Sequence, residues 1–159
     1  MAVLSLPSHA NADTRIENLS GASCRSGAHQ QPGGPFAVFV FCDDALGTNI
    51  AVFSQLGESR FEKWTLTRRF WQSDSWGADV VSIGWVPNRN LLVVTTSPIY
   101  GSGAAYLLNL ETQTSVTLAN VKDCASQIQA ISERAVTVEF IDCEGASPPQ
   151  KKVVLPVSK

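Results

Sequence analysis

The chain has 159 residues, of which 44% are hydrophobic and 16% are charged, and its mean hydropathy is +0.03. This length suits one domain with a sizeable core, and the composition is typical of a globular chain rather than a disordered one. The formal net charge is −2 and the basic residues are scattered, so no nucleic-acid-binding surface is predicted. No apolar run approaches the roughly 20 residues of a membrane-spanning helix, so we expect no membrane span.

The first twelve residues fit the end of a secretory signal peptide. In "MAVLSLPSHANAD", Ala10-Asn11-Ala12 has the small-x-small pattern of a cleavage site, and "AVLSLP" suits the end of an apolar h-region. A positively charged n-region is absent, so a plain N-terminal tail is the alternative. We predict a truncated signal-peptide remnant at residues 1–12 and a single all-β domain at residues 13–159.

The four cysteines form two pairs of similar spacing. Cys24 precedes Cys42, which ends "FAVFVFC", and Cys124 precedes Cys143, which ends "AVTVEFIDC". An even set is typical of an oxidising compartment, so a periplasmic or secreted location is predicted. We favour the two local disulfides, Cys24–Cys42 and Cys124–Cys143, each stabilising by roughly 3 kcal/mol on chain-entropy grounds. Four buried thiols in the cytosol are the alternative, whereas the spacing disfavours zinc because close C-x₂₋₄-C pairs are absent.

Short apolar or alternating runs, separated by turn residues, recur along the chain. In chain order the predicted strands are "FAVFVFC", "NIAVFSQ", "FEKWTLTRRFW", "ADVVSIGWV", "LLVVTT", "AAYLLNL", "SVTL", "ERAVTVEFID" and "KKVVLPV". The first is predicted to be buried on both faces, and the last to be an edge strand because Pro156 cannot donate to a ladder. Two segments stay open, since "DTRIENL" fits one helical turn and "CASQIQAISER" fits a helix or a strand. This rhythm predicts an all-β fold of antiparallel strands with little helix.

The strongest strand runs supply the predicted core. Its members are Phe39, Phe41, Val81, Ile83, Trp85, Leu92, Val94, Leu108, Val138 and Phe140.

Residues 80–118 resemble one blade of a β-propeller, closest to the WD-like repeats of the periplasmic Tol translocation protein. The matching features are Trp85, Pro87, Asn88, the strands at 91–95 and 106–110, and the turn Glu111-Thr112. Residues 36–71 and 127–157 follow the pattern loosely. The resemblance implies two or three propeller-like blades, and a closed propeller typically needs about four. We therefore expect either a propeller-like array that forms a homodimer or a β-sandwich.

No catalytic constellation is present in the sequence. The two histidines, His9 and His29, precede the first strong strand, so neither a histidine-assisted nucleophile nor a histidine-ligated metal is predicted, and His29 is expected in a solvated loop. Carboxylates remain candidates for acid/base chemistry on a sugar, although solvated turns are the alternative interpretation. These carboxylates are Asp43, Asp44, Asp74 and Asp79. We predict no enzymatic activity, no metal and no cofactor.

The segment Ser102-Gly103-Ala104-Ala105-Tyr106 has the form S-G-x-x-Y, and Tyr100 precedes it. It is similar to the inhibitory loop of bacterial periplasmic lysozyme inhibitors, which implies that Ser102 and Tyr106 would enter the cleft of a lysozyme. Glycine allows close backbone approach, and tyrosine is an anchor of low entropic cost. The alternative is that this segment is a plain hairpin connector and that Tyr106 lies inside a strand. For Tyr106 we expect this alternative, a strand residue.

Arg69 and Trp71 share one face of "FEKWTLTRRFW" by strict alternation, which suits sugar stacking or a protein hot spot. The alternative is a tryptophan packed under the loop "QSDSWG".

Altogether the sequence favours a non-enzymatic exported β-domain that acts as a binding or scaffold module of the bacterial envelope, with a protein or a carbohydrate as its partner. A periplasmic lysozyme inhibitor and a carboxylate-dependent sugar-active enzyme are the two alternatives.

Overall fold

The computed structural model describes residues 15–19, 24–43, 47–55, 66–72, 78–98, 102–141, 143 and 151–157. Within these residues the chain is all-β, which confirms the predicted fold class. The strands are β1 (Ile16–Asn18), β2 (Gly27–Gln30), β3 (Phe36–Asp43), β4 (Gly47–Gln55), β5 (Leu66–Gln72), β6 (Ala78–Trp85), β7 (Leu91–Pro98), β8 (Ser102–Asn109), β9 (Thr114–Lys122), β10 (Ala125–Ile131), β11 (Ala135–Ile141) and β12 (Lys151–Pro156). The segment "CASQIQAISER", which the sequence left open between helix and strand, contains β10, and "DTRIENL", which fitted one helical turn, contains the short strand β1 instead.

The strands form three antiparallel sheets. The first sheet has the order β2-β3-β4-β5, the central sheet β1-β6-β7-β8-β9, and the third sheet β10-β11-β12. Apart from β1, neighbours in a sheet are also neighbours in sequence, as in chains of hairpins. The four strands expected within residues 80–118 are therefore adjacent, and β12 lies at a sheet edge as predicted. The described residues contain no helix that is long and apolar enough to cross a membrane.

The central sheet lies between two apolar clusters. Consecutive side chains of a strand point to opposite faces, so Leu92 and Val94 of β7 join one cluster while Leu91 and Val93 join the other. The first cluster, shared with the first sheet, consists of Leu19, Phe36, Val38, Val40, Ile50, Val52, Val80, Ile83, Trp85, Leu92, Val94, Leu108 and Leu110. The second cluster, shared with the third sheet, consists of Val86, Leu91, Val93, Ala105, Leu107, Cys124, Ile128, Val136, Val138, Phe140 and Val157.

Most of the predicted core residues are buried, and Trp85 is only 2% exposed to solvent. The exceptions lie on β3, where Phe39 is partly buried and Phe41 is 54% exposed. The even-numbered positions of β3, such as Val38 and Val40, face the first cluster, so Phe39 and Phe41 point to the opposite face of the first sheet. The prediction that this strand is buried on both faces is therefore wrong at Phe41.

The third sheet approaches the central sheet most closely along β10. A Cβ atom placed on Gly103 would lie 2.0 Å from the carbonyl oxygen of Cys124, and one on Gly84 would lie 3.0 Å from Cδ1 of Ile128. Ser126, which is fully buried, places its Oγ 2.8 Å from the carbonyl oxygen of Ala104. The two sheets thus meet where glycines leave room for backbone and where a hydroxyl satisfies a buried carbonyl group.

Both predicted disulfides are present. Cys24 is bonded to Cys42 and Cys124 to Cys143, and no cysteine remains free. In each pair one cysteine precedes the first strand of a hairpin, and the other lies at or just beyond the end of the second strand. Each disulfide therefore closes the open end of a hairpin, β2–β3 in the first sheet and β10–β11 in the third.

Gly103 and Gly84 both lie close to β10, but a methyl group added at each would displace different atoms. We expect Gly103→Ala to destabilise the fold by about 2–3 kcal/mol, because its Cβ meets a backbone carbonyl that cannot be displaced easily. Gly84→Ala is the matched control and should cost less than about 1 kcal/mol, because it meets only the ends of isoleucine side chains. Urea denaturation of the oxidised proteins measures both values, and equal losses would contradict this account of the interface.

Trp85→Ala should lower the free energy of unfolding by about 3–5 kcal/mol, because it opens a cavity in the first cluster. Val116→Ala provides the control, since Val116 is 56% exposed and its truncation should cost little. A melting temperature for Trp85→Ala within two degrees or so of the parent would rule out Trp85 as a core anchor.

Candidate functional site

All five residues of the S-G-x-x-Y motif lie in strand β8. Ser102 begins β8 and pairs with Lys122, and Gly103 is buried in the close contact with Cys124. Tyr106 lies in the interior of β8, pairs with Val94 of β7, and packs its partly buried side chain against the first cluster. Tyr100 lies outside the described residues.

The position of Tyr106 affects its acidity. Burial raises the pKa of the Tyr106 phenol above its ordinary value of 10.0, because the charged phenolate is poorly solvated at this position. Together with its place in the ladder, this makes Tyr106 a packing residue of the central sheet.

Arg69 and Trp71 lie on β5, at an edge of the first sheet, and thus in a different sheet from the S-G-x-x-Y motif. Trp71 pairs with Val52 and Arg69 pairs with Phe53, which are consecutive residues of β4. A register shift at this point interrupts the strict alternation from which a shared face was predicted.

The two candidate acid/base residues that the structure describes lie on strands of different sheets. Asp43 ends β3 and pairs with Gly47, whereas Asp79 lies in β6 and pairs with Ser97. The other two, Asp44 and Asp74, are outside the described residues. In the part of the chain that the structure describes, no three side chains of histidine, cysteine, aspartate or glutamate are grouped as a metal site requires.

His29 is not a solvated loop residue, as the sequence suggested, but part of β2. It pairs with Val38, its Nδ1 lies 3.7 Å from Oε1 of Glu17, and its Nε2 is buried without a hydrogen-bond partner. The short strand β2 carries no strong apolar alternation, so the pattern did not reveal it.

A network that sequence reasoning did not anticipate lies at the β6–β7 turn. We call Gln31, Arg89, Asn90 and Glu111 the polar hub. Gln31 is 5% exposed, and its Nε2 donates to Oδ1 of Asn90 at 3.0 Å while its Oε1 accepts from the backbone N–H of Phe36. Asn90 in turn donates through Nδ2 to Oε1 of Glu111 at 2.7 Å. These bonds join the first sheet to the β6–β7 and β8–β9 turns of the central sheet.

Arg89 extends the polar hub to the third sheet. Its Nη1 donates to the carbonyl oxygen of Val157 at 3.0 Å and to that of Glu133 at 3.2 Å. Asn88, which precedes it, has a φ of 61° and is exposed. Asparagine tolerates this left-handed conformation better than most residues, which suits it to this position of the turn "PNRN".

The β8–β9 turn is fixed by its own asparagine. Oδ1 of Asn109 accepts from the backbone N–H groups of Glu111 and Thr112, each at 3.1 Å. The backbone N–H of Gln113 donates to the carbonyl oxygen of Asn109 at 2.8 Å, and the hydroxyls of Thr112 and Thr114 are 2.8 Å apart. Such side-chain bonds to the backbone hold a turn in one conformation.

An open groove of about 730 Å³ lies between these two turns. Its described lining consists of Asn88, Arg89, Asn90, Leu91, Asn109, Glu111, Thr112 and Thr114. One positive and one negative side chain balance each other, and the remaining polar groups are amides and hydroxyls, so the lining as a whole is neutral and rich in hydrogen-bonding groups. This arrangement suits non-covalent recognition of a polar ligand.

The titration of Tyr106 offers a direct check on its burial. Because the folded state keeps the phenol proton to a higher pH than the unfolded chain, the folded protein binds more protons in the window above pH 10.0. The stability that this provides is complete below that pH and is lost as the pH rises through the folded pKa. We expect ultraviolet difference titration to show a step above pH 10.0 that Tyr106→Phe removes, and a step at or below the ordinary value would contradict the packing described here.

Arg89→Met should reduce the free energy of unfolding by about 1.5–3 kcal/mol, since it leaves the carbonyl groups of Glu133 and Val157 without a charged donor. Arg134→Met is the control, because Arg134 is exposed and its side chain should contribute little. Chemical denaturation of both variants measures the difference, and equal stabilities would exclude the proposed link between the sheets.

No protein family, no curated protein and no solved structure matches the chain in sequence or fold comparisons. The groove and the polar hub therefore carry the functional interpretation on their own geometry and chemistry.

Proposed function

We propose that the protein is a non-enzymatic exported β-domain that acts as a binding module of the bacterial envelope, and that it binds its ligand in the groove between the β6–β7 and β8–β9 turns. The observation that carries this proposal is the groove itself, an open volume of about 730 Å³ in which seven of the eight described lining residues have polar or charged side chains. Turns positioned by a rigid sheet are a common place for binding residues.

The rigidity of the groove supports binding. Asn109 fixes one turn, and Asn90 joins the two turns through Glu111. Arg89 and Gln31 tie the β6–β7 turn to the other two sheets. A site that is ordered before its ligand arrives loses less conformational entropy on binding, so a modest number of contacts suffices.

Export is supported by the cysteines. All four are consumed in two disulfides, and such bonds persist in oxidising compartments such as the periplasm.

The two alternative functions draw less support from the geometry. A lysozyme inhibitor would need Tyr106 at an exposed tip, but its side chain packs against the first cluster within β8. A sugar-active enzyme would need paired carboxylates, and the two candidates that the structure describes, Asp43 and Asp79, lie on strands of different sheets.

Site-specific photo-crosslinking tests the proposal. A photoreactive residue at Thr112, which lines the groove, should yield a discrete covalent product when the oxidised protein is irradiated in an envelope extract. The same residue at Asn120, which is exposed on β9 away from the groove, is the control. Equal labelling from the two positions would refute a binding function for the groove, and lysozyme inhibition that Tyr106→Ala abolishes without unfolding would favour the inhibitor instead.

A further inference from the structure

Each charged side chain of the groove already has a hydrogen-bond partner within the protein. Arg89 directs Nη1 to two backbone carbonyl groups of the third sheet, and Glu111 accepts a hydrogen bond from Asn90. A charged ligand would have to compete with these internal bonds, and the balanced charges offer it no net attraction.

The remaining polar groups of the lining are of a different kind. Asn88 is exposed beside the groove, and the hydroxyls of Thr112 and Thr114 lie 2.8 Å apart at its other wall. Amides and hydroxyls both donate and accept hydrogen bonds. They therefore match a ligand whose own groups also do both, as the hydroxyl groups of sugars do.

We propose that this groove binds a neutral oligosaccharide, with Asn88 and Thr114 as ligand-contacting residues. The inference rests on the proposed binding function and names the ligand class of that same site. The groove volume of about 730 Å³ falls within the range of small-molecule sites, and its open form suits a short segment of a longer glycan.

The residue types of the lining also determine the affinity for a glycan and how that affinity depends on ionic strength. None of the eight described lining residues is aromatic, so these residues bind a sugar through hydrogen bonds and not through ring stacking, and their contribution to affinity is modest. Because the interaction consists of hydrogen bonds between neutral groups, it is insensitive to ionic strength. Salt dependence consequently separates a neutral glycan from a charged one.

The test uses the oxidised full chain on an array of neutral and charged envelope oligosaccharides, followed by calorimetry of the bound glycans at low and high ionic strength. We expect neutral members to bind with an affinity that salt does not change. Asn88→Gly, which keeps the backbone conformation available, and Thr114→Val, which keeps the side-chain shape, should each weaken binding about five- to tenfold.

Thr117→Val is the matched control for Thr114→Val, since Thr117 is exposed on the same strand but does not line the groove. It should bind as the parent does, and melting temperatures verify that all variants are folded. Salt-dependent binding, or binding that neither groove variant weakens, would overturn the glycan assignment.

The same experiment distinguishes the two levels of the proposal. If no oligosaccharide binds but the photoreactive group at Thr112 still captures a protein, the glycan inference fails while the binding function stands. If neither glycan nor protein is captured through the groove, both fail.

Discussion

The close approach of β10 to the central sheet constrains the rest of the structure. The absence of a side chain at Gly103 allows the backbone at Cys124 to lie against β8. In the same way Gly84, on β6, leaves room for the side chain of Ile128, on β10. The hydroxyl of Ser126 then reaches the carbonyl oxygen of Ala104, so that a buried polar group of the central sheet is satisfied from the third sheet. These contacts fix the position of β10, and the hairpin partners β11 and β12 follow it.

The position of the third sheet in turn determines the position of the polar hub. The β10–β11 turn brings the carbonyl group of Glu133 to Arg89, and the segment after β12 brings that of Val157 to the same guanidinium. Gln31 holds the other side of the β6–β7 turn from the first sheet. The β6–β7 turn, which has no distinctive pattern in the sequence, is thereby hydrogen-bonded to the first and third sheets as well as its own. These bonds restrict the shape of the groove beside it.

Alternation and turn residues were enough to predict the all-β class, most strands and the disulfide pairing, because each is a local property of the chain. Local pattern failed at β1 and β2, which are short and depend on partners elsewhere, and at Phe41, where burial depends on whether a second layer covers the sheet. The polar hub was out of reach for the same reason. Gln31 and Arg89 are far apart in sequence, and only the packing of the sheets brings them to one turn.

The disulfides stabilise individual sheets, whereas the polar hub connects one sheet to another. Each disulfide closes a hairpin within one sheet, Cys24–Cys42 in the first and Cys124–Cys143 in the third, so neither fixes one sheet relative to another. That relation depends on the two apolar clusters and, at the groove, on hydrogen bonds of Arg89 and Gln31. Apolar packing is non-directional, whereas these hydrogen bonds require defined geometry. Arg89, one of the side chains that position the sheets relative to one another, also lines the groove, so under the proposed function ligand recognition and fold stability depend in part on the same residue.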